Sequence, residues 1–333
     1  MKTAIIGFSG SGKTEIFRAL AGPGTPGNRV MVKVPEPRLE PLCDLFKPKK
    51  ITHTEIEFLD LPGGGSSFLG NKILSDIRGF ECLLAVVDAF TGTQDPEAQQ
   101  NAIEAELIIS DMAVIEKKLE RMQEDKRKAR HLHDQNQEEL LIKALQILEQ
   151  DRPLREYPDL ASRDDLRGFA FLSAKPVLYA WNVAEDSLSG FKIPPESTGM
   201  GHIAFSARLE REMSELEDKQ ELLEFMHELG IEGSVLDRVI GRTYDLLGLI
   251  TFLTAGEKEV RSWPLKRGKN AWEAAGVIHS DIQKGFIRAE VLGWEDFVAC
   301  KTFKKAKEQG VLRLEGKEYI VRDGDIITFR FNV

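Results

Sequence analysis

The sequence predicts an α/β protein: a mostly parallel sheet carrying a phosphate-binding loop, a helical hairpin inserted into that domain, and a small α+β domain at the end. Three observations predict it. Short apolar runs alternate with helical spacing over residues 3–88, residues 97–150 carry almost no Gly or Pro, and beyond residue 249 strand-like runs alternate with turn signals.

Residues 3–7 are a short apolar run ending in glycine, followed by Glu15-Ile16-Phe17-Arg18-Ala19-Leu20 at helical spacing. The Gly/Pro-rich stretch 22–27 breaks that helix. Residues 30–34 and 55–60 read as strands with a helix at 39–46 between them, and 83–88 as a further buried strand. Leu107, Ile108, Met112, Ile115, Leu119 and Met122 mark one long helix; Leu140, Leu141, Leu145 and Leu148 mark a second. The polar run 124–138 lies between them, which predicts a helical hairpin, a short antiparallel coiled coil, inserted at about 97–160. Strand patterns resume at 175–182 and 202–205, and helices follow at 209–248. The predicted nucleotide-binding domain is therefore 1–248. In 249–333, strands are predicted at 258–265, 287–292, 318–321 and 326–331, with a helix at 270–278.

At 333 residues the chain has room for two or three domains. The net charge of −9 argues against a protein that coats nucleic acid, and no DNA partner is expected. From Ile250 to Val333 there are 15 Lys and Arg against 12 Asp and Glu, so this stretch is +3 and the remainder −12. A mildly basic tail suits docking onto RNA and equally arises by chance. Cys43, Cys82 and Cys300 form no close pair, so neither a zinc site nor a disulfide framework is indicated. No run reaches the roughly 18 apolar residues of a membrane span. The phosphate loop starts at Gly7, leaving no room for a signal peptide, so the expected location is cytoplasmic.

Gly7-Phe8-Ser9-Gly10-Ser11-Gly12-Lys13-Thr14 fits Gly-x4-Gly-Lys-Thr. Glycines let backbone amides of Ser9, Gly10, Ser11 and Gly12 turn inward on phosphate oxygens, at the start of a helix whose dipole favours the anion. Lys13 is placed to reach the β- and γ-phosphates, and the Thr14 hydroxyl to ligate Mg²⁺. Phe58-Leu59-Asp60-Leu61-Pro62-Gly63 ends a strand in Asp-x-x-Gly. Asp60 is the second expected metal residue and Gly63 the γ-phosphate sensor. Asn182-Val183-Ala184-Glu185 follows a strand where GTPases carry Asn-Lys-x-Asp. Glu185 and Val183 lack the features that select guanine, which favours ATP over GTP. Ser206 and Ala207 sit like the loop that backs the base.

Asn182-Val183-Ala184-Glu185 resembles the base-reading motif of the YchF (Obg-like ATPase) family. So do Val34-Pro35-Glu36-Pro37-Arg38-Leu39, Gly70-Asn71-Lys72, Leu229-Gly230-Ile231-Glu232 and Thr254-Ala255-Gly256-Glu257-Lys258-Glu259-Val260-Arg261. Ala274-Ala275-Gly276-Val277-Ile278-His279 and Lys284-Gly285-Phe286-Ile287-Arg288-Ala289-Glu290-Val291 look like its TGS domain. The resemblance implies a β-grasp-like TGS domain at 249–333, ATP preference, hydrolysis, and binding to the ribosome or ribosomal RNA through the TGS domain and the hairpin.

Departures bear on hydrolysis. The family's Gly-x-Pro-Asn-x-Gly-Lys-Ser loop is replaced by Ser9-Gly10-Ser11 and Thr14, and its first switch is shortened to residues 22–29. No histidine stands in 91–97 at the family's water-positioning place, so no catalytic residue is assigned. The resemblance therefore implies slow turnover; the alternatives are a nucleotide-gated binding module with little or no hydrolysis, and a GTPase proper. Lys301, Lys304, Lys305 and Lys307 are read as one basic helix facing RNA.

Overall fold

A computed structural model describes residues 1–22, 25–61, 70–93, 95–128, 134–215 and 234–332. Two compact units divide the chain: Met1–Val32 with Glu57–Leu246, and Lys33–Ile56 with Leu247–Val333.

The first unit is built on a sheet ordered β2-β4-β1-β5-β6-β7, with β1 Lys2–Gly7, β2 Arg29–Lys33, β4 Glu55–Asp60, β5 Cys82–Asp88, β6 Val177–Asn182 and β7 Met200–Phe205. The run from β4 through β1, β5 and β6 to β7 is parallel. Both β5 and β6 are buried at every position, as central strands covered on both faces must be. Helix α1 (Lys13–Ala21) turns Ile16, Phe17 and Leu20 inward and ends at Gly22, whose φ of 77° carries its amide back to the Arg18 carbonyl.

Helix α3 (Asn71–Ile77) precedes β5, and α4 (Pro96–Lys128) and α5 (Gln135–Leu148) follow it. Asp134 caps α5 by accepting from the Gln137 amide at 3.0 Å. Ile108, Ile115 and Met122 of α4 pack with Leu141, Ala144 and Leu148 of α5 in one buried cluster. Upstream on α4, Ile103 and Leu107 join the core of the sheet. Asp111, fully buried on α4, accepts from the amides of Leu172 and Ser173 and from Arg78. Short helices α6 (Pro158–Ala161) and α7 (Asp164–Arg167) lead to β6, and α8 (Ala207–Glu215) and α9 (Val235–Leu246) follow β7.

The second unit has a sheet ordered β11-β10-β12-β8-β9-β3, with β3 Lys50–Thr52, β8 Leu249–Ala255, β9 Glu259–Lys266, β10 Phe286–Leu292, β11 Arg313–Glu315 and β12 Ile326–Phe331. Helix α10 (Ala271–Ile278), held by an Asn270–Glu273 capping box, packs with Phe252, Trp263, Ala289 and Ile327. Helices α2 (Leu39–Phe46), α12 (Trp294–Cys300) and α13 (Phe303–Glu308) form a second cluster with Leu253, Val260 and Ile326; α11 (Ser280–Lys284) follows α10.

Three expectations change here, and a fourth group falls outside the described residues. Residues 33–56, read as part of the nucleotide-binding domain, pack with the C-terminal unit: β3 pairs in parallel with β9, and the Thr54 amide donates to Ser262 Oγ at 2.8 Å. The predicted strand 318–321 is turn and loop, with one isolated bridge between Ile320 and Asn270 outside the strands of the sheet, while β8, β3 and β11 were not predicted. The basic helix is two pieces, since Lys301 ends α12 in a left-handed conformation (φ 60°) and the other three lysines lie on α13. Gly63, the residues after it to Ser67, and Leu229-Gly230-Ile231-Glu232 lie outside the described residues.

Candidate functional site

Strands β1, β4, β6 and β7 run parallel, so their C-terminal ends emerge along one edge of the sheet. Open α/β sheets bind ligands at that edge. Gly7 closes β1, Asp60 closes β4, Asn182 closes β6, and Ser206 follows β7. Topology thus brings together four motifs spread over two hundred positions of sequence.

The 7–14 loop is a tight turn built on glycine. Gly7, Gly10 and Gly12 have φ of 152°, 81° and 100°. A Cβ on Gly12 would stand 2.6 Å from Asn182 Nδ2, and one on Gly7 2.5 Å from the Val86 carbonyl, so neither accepts a side chain. Ser9 and Gly10 are exposed; Ser11 is buried and its hydroxyl has no partner among the described residues. Lys13, on the first turn of α1, folds back over the loop and donates to the carbonyls of Gly7 and Phe8, both at 2.7 Å. Burial pulls its ammonium below the usual lysine range, against the attraction of Asp60.

Burial likewise raises the Asp60 carboxyl, while Lys13 and Thr14 pull it down. Thr14 Oγ1 lies 3.4 Å from Asp60 Oδ2, and Asp60 Oδ1 is buried without a partner among the described residues. Two oxygen donors beside an anion-seeking loop, one of them orphaned, fit a hard divalent cation held otherwise by phosphate and water. Among the described residues there is no group of three or more His, Cys, Asp or Glu to form an all-protein cage.

Asn182 ties the edge together. Its Nδ2 donates to the Ser11 carbonyl at 3.2 Å, and its Oδ1 accepts from the Ala207 amide at 3.0 Å. Beyond it opens a cavity of about 1200 Å³ whose lining includes Asn182, Val183, Glu185, Ser206 and Ala207. Val183, expected over the base in place of lysine, packs mainly into the core of the sheet. Glu185 Oε2 lies 4.0 Å from Arg208 Nε.

Sequence reasoning missed other parts of the cavity wall, among them Phe90, Leu188, Phe191, Ile193 and Arg238. Phe90 had a legible signal. Asp88 at the end of β5 accepts from the Phe90 and Thr91 amides, both at 3.0 Å, in a turn that leaves the ring 57% exposed. Arg238 had none, because α9 reaches the cavity from far along the chain.

The YchF-GTPase_C family model, described as a protein of unknown function, matches residues 249–332. The chain is 38% identical to the ribosome-binding ATPase YchF of Bacillus subtilis, covering all of both chains. It is 37% identical to the protein of that name from Escherichia coli O157:H7, covering all of this chain and 99% of the other. The solved YchF GTPase of Schizosaccharomyces pombe superposes with a TM-score of 0.83 at 28% identity, covering 99% of this chain and 97% of that one. A GTP-binding protein from Pyrococcus horikoshii, at 18% identity and TM-score 0.66, shares the fold over both full lengths. Full-length identity and a matching architecture together show that the chain belongs to the YchF family.

Proposed function

We propose that the chain is a ribosome-associated P-loop switch that binds magnesium-ATP and hydrolyses it slowly in the cytoplasm. The observation that carries this reading is the convergence at one sheet edge of the glycine-built loop with Lys13, the Thr14–Asp60 pair, and the cavity beyond Asn182. In this reading Ser9 to Gly12 turn amides onto the β-phosphate and Lys13 exchanges its carbonyl partners for phosphate oxygens. Thr14 and Asp60 hold the metal, Gly63 senses the γ-phosphate, and the base lies in the cavity lined by Asn182, Val183, Glu185, Ser206, Ala207 and Phe90. Bound Mg²⁺ supplies charge neutralisation between the terminal phosphates. Residues 1–248 supply the nucleotide domain, α4 and α5 a coiled-coil hairpin at about 97–160, and 249–333 a TGS domain. The names of the relatives support ATP and ribosome binding, and no helix among the described residues is long and apolar enough to cross a membrane.

A second reading is a nucleotide-gated binding module with little turnover, favoured by the lack of a histidine in 91–97. The Schizosaccharomyces pombe relative is named a GTPase, which keeps guanine in the test. Affinities for ATP, GTP and their diphosphates, measured by calorimetry with and without Mg²⁺, decide the nucleotide. Lys13→Ala is expected to lower triphosphate affinity by roughly 10- to 100-fold, the scale of one charge-assisted contact. Unchanged affinity in that variant refutes the assigned site, and single-turnover cleavage with and without ribosomes separates the slow ATPase from the binding module.

A further inference from the structure

The cluster around α2 and α13 brings two lysine-rich segments, more than 250 positions apart, onto one surface. Phe46, the last residue of α2, meets Phe303, the first of α13, edge to face at 5.4 Å, and Phe303 also packs on Phe297 at 6.0 Å. Chain entry into that aromatic contact is lysine on both sides: Lys47, Lys49 and Lys50 leave α2, and Lys301, Lys304, Lys305 and Lys307 surround α13. All seven are exposed, and in residues 44–50 and 301–308 only Asp44 and Glu308 oppose them. Lys50 pairs with Glu259 at 3.5 Å; the other six have no ion-pair partner among the described residues. A chain of net charge −9 thus concentrates unpaired positive charge at one place.

The helix ends reinforce this. Lys47 and Lys301 are both C-caps in the left-handed region, at φ 45° and 60°, where glycine is the usual residue. Each cap amide returns to a helix carbonyl, Cys43 at 2.8 Å and Phe297 at 2.7 Å, so the caps are formed in spite of their side chains. Two neighbouring helix termini keep a lysine where the left-handed backbone favours glycine.

We propose that Lys47, Lys49, Lys301, Lys304, Lys305 and Lys307 form one docking surface for the phosphate backbone of ribosomal RNA. The proposal rests on the ribosome reading above and adds the surface and the chemistry of the contact. Lysines meet phosphate oxygens as point charges, and lysine is depleted from the cores of protein–protein interfaces. Phe46 and Phe303 are half-buried and packed edge to face on each other, so the exposed groups of this surface are ammoniums rather than rings, and the contact is independent of sequence.

The test replaces Lys47, Lys49, Lys304 and Lys307 with Gln in the full chain. Sedimentation with salt-washed bacterial ribosomes is measured in Mg-ATP, and binding to protein-free ribosomal RNA across a salt series. The variant is expected to bind at least ~10-fold more weakly at about 0.1 M salt, with the slope of log K against log salt shallower by about 0.7 for each phosphate no longer neutralised. Its melting temperature and triphosphate affinity stay at the wild-type values. Equal affinity and slope in both proteins overturn the surface and leave the ribosome reading standing. A wild type that sediments with ribosomes but ignores protein-free RNA assigns the partner to ribosomal protein and overturns the proposal. A wild type that never sediments with ribosomes refutes the underlying reading and the proposal with it.

Discussion

Asn182 shows how one side chain decides the geometry of a nucleotide edge. The motif around it invites a base-contacting role, but both ends of its amide are engaged, one with the Ser11 carbonyl and one with the Ala207 amide. It is a strut between the phosphate loop and the loop after β7, and Gly12 is glycine because that strut passes 2.6 Å from where a Cβ would be. Asn182→Ala leaves two backbone groups without partners, at about 1–3 kcal/mol each. Affinity for ATP and for GTP is expected to fall together, by roughly tenfold or more, because the missing element is the loop's support and not a hydrogen bond to the base. Calorimetric titration of both nucleotides checks this, and a loss confined to one of them would assign the amide to the base instead.

At the scale of elements, α8 and α9 meet through a poorly matched pair, buried at Glu210 and half-buried at Arg238. Glu210 accepts from the Val235 amide at 3.1 Å, while Arg238 stands 3.9 Å away and donates to the Ala204 carbonyl. Burial raises the Glu210 carboxyl from 4.5 to about 7 and lowers the Arg238 guanidinium, so desolvation outweighs their mutual attraction. The folded state therefore holds the Glu210 proton more tightly than the unfolded chain does. Stability from this group is complete below about pH 4.5 and is lost as pH rises to about 7. Glu210→Gln is expected to remove that loss, making the variant the more stable protein at pH 8 by about 1–3 kcal/mol and leaving the two alike at pH 4. Urea denaturation across the pH series measures it, and parallel curves for the two proteins would show that the carboxyl does not titrate in this window. Nothing in the local pattern Leu209-Glu210-Arg211 announces such a pair. Helices and parallel strands were legible because their apolar spacing is local, as in the α4 and α5 stripes. The partner of Glu210 is supplied by a helix that sequence spacing cannot align with it.

For the whole molecule, the same limit appears in the division of the chain. The motif Val34-Pro35-Glu36-Pro37-Arg38-Leu39 is readable, but its partners are not. Arg38 bonds Glu36 at 2.6 Å and Asp323 at 2.7 Å, and Leu39 and Leu42 are buried against Leu253, Val260 and Ile326. The family match begins at residue 249, where periodicity also places the boundary, yet the folded unit needs residues 33–56 as its edge strand and as one of its covering helices. A fragment of residues 249–333 alone therefore lacks the β3 edge, the Thr54–Ser262 hydrogen bonds, and two fully packed leucines. At about 2–5 kcal/mol for each buried leucine removed, the loss is comparable to the total stability of a domain of this size. The fragment is expected to be largely unfolded at 25 °C by circular dichroism and amide dispersion. A single chain joining residues 33–56 through a Gly/Ser linker to residues 247–333 is expected to unfold cooperatively. Equal, cooperative urea transitions for the two would show that the C-terminal sheet carries its own core, and that the early segment only decorates it.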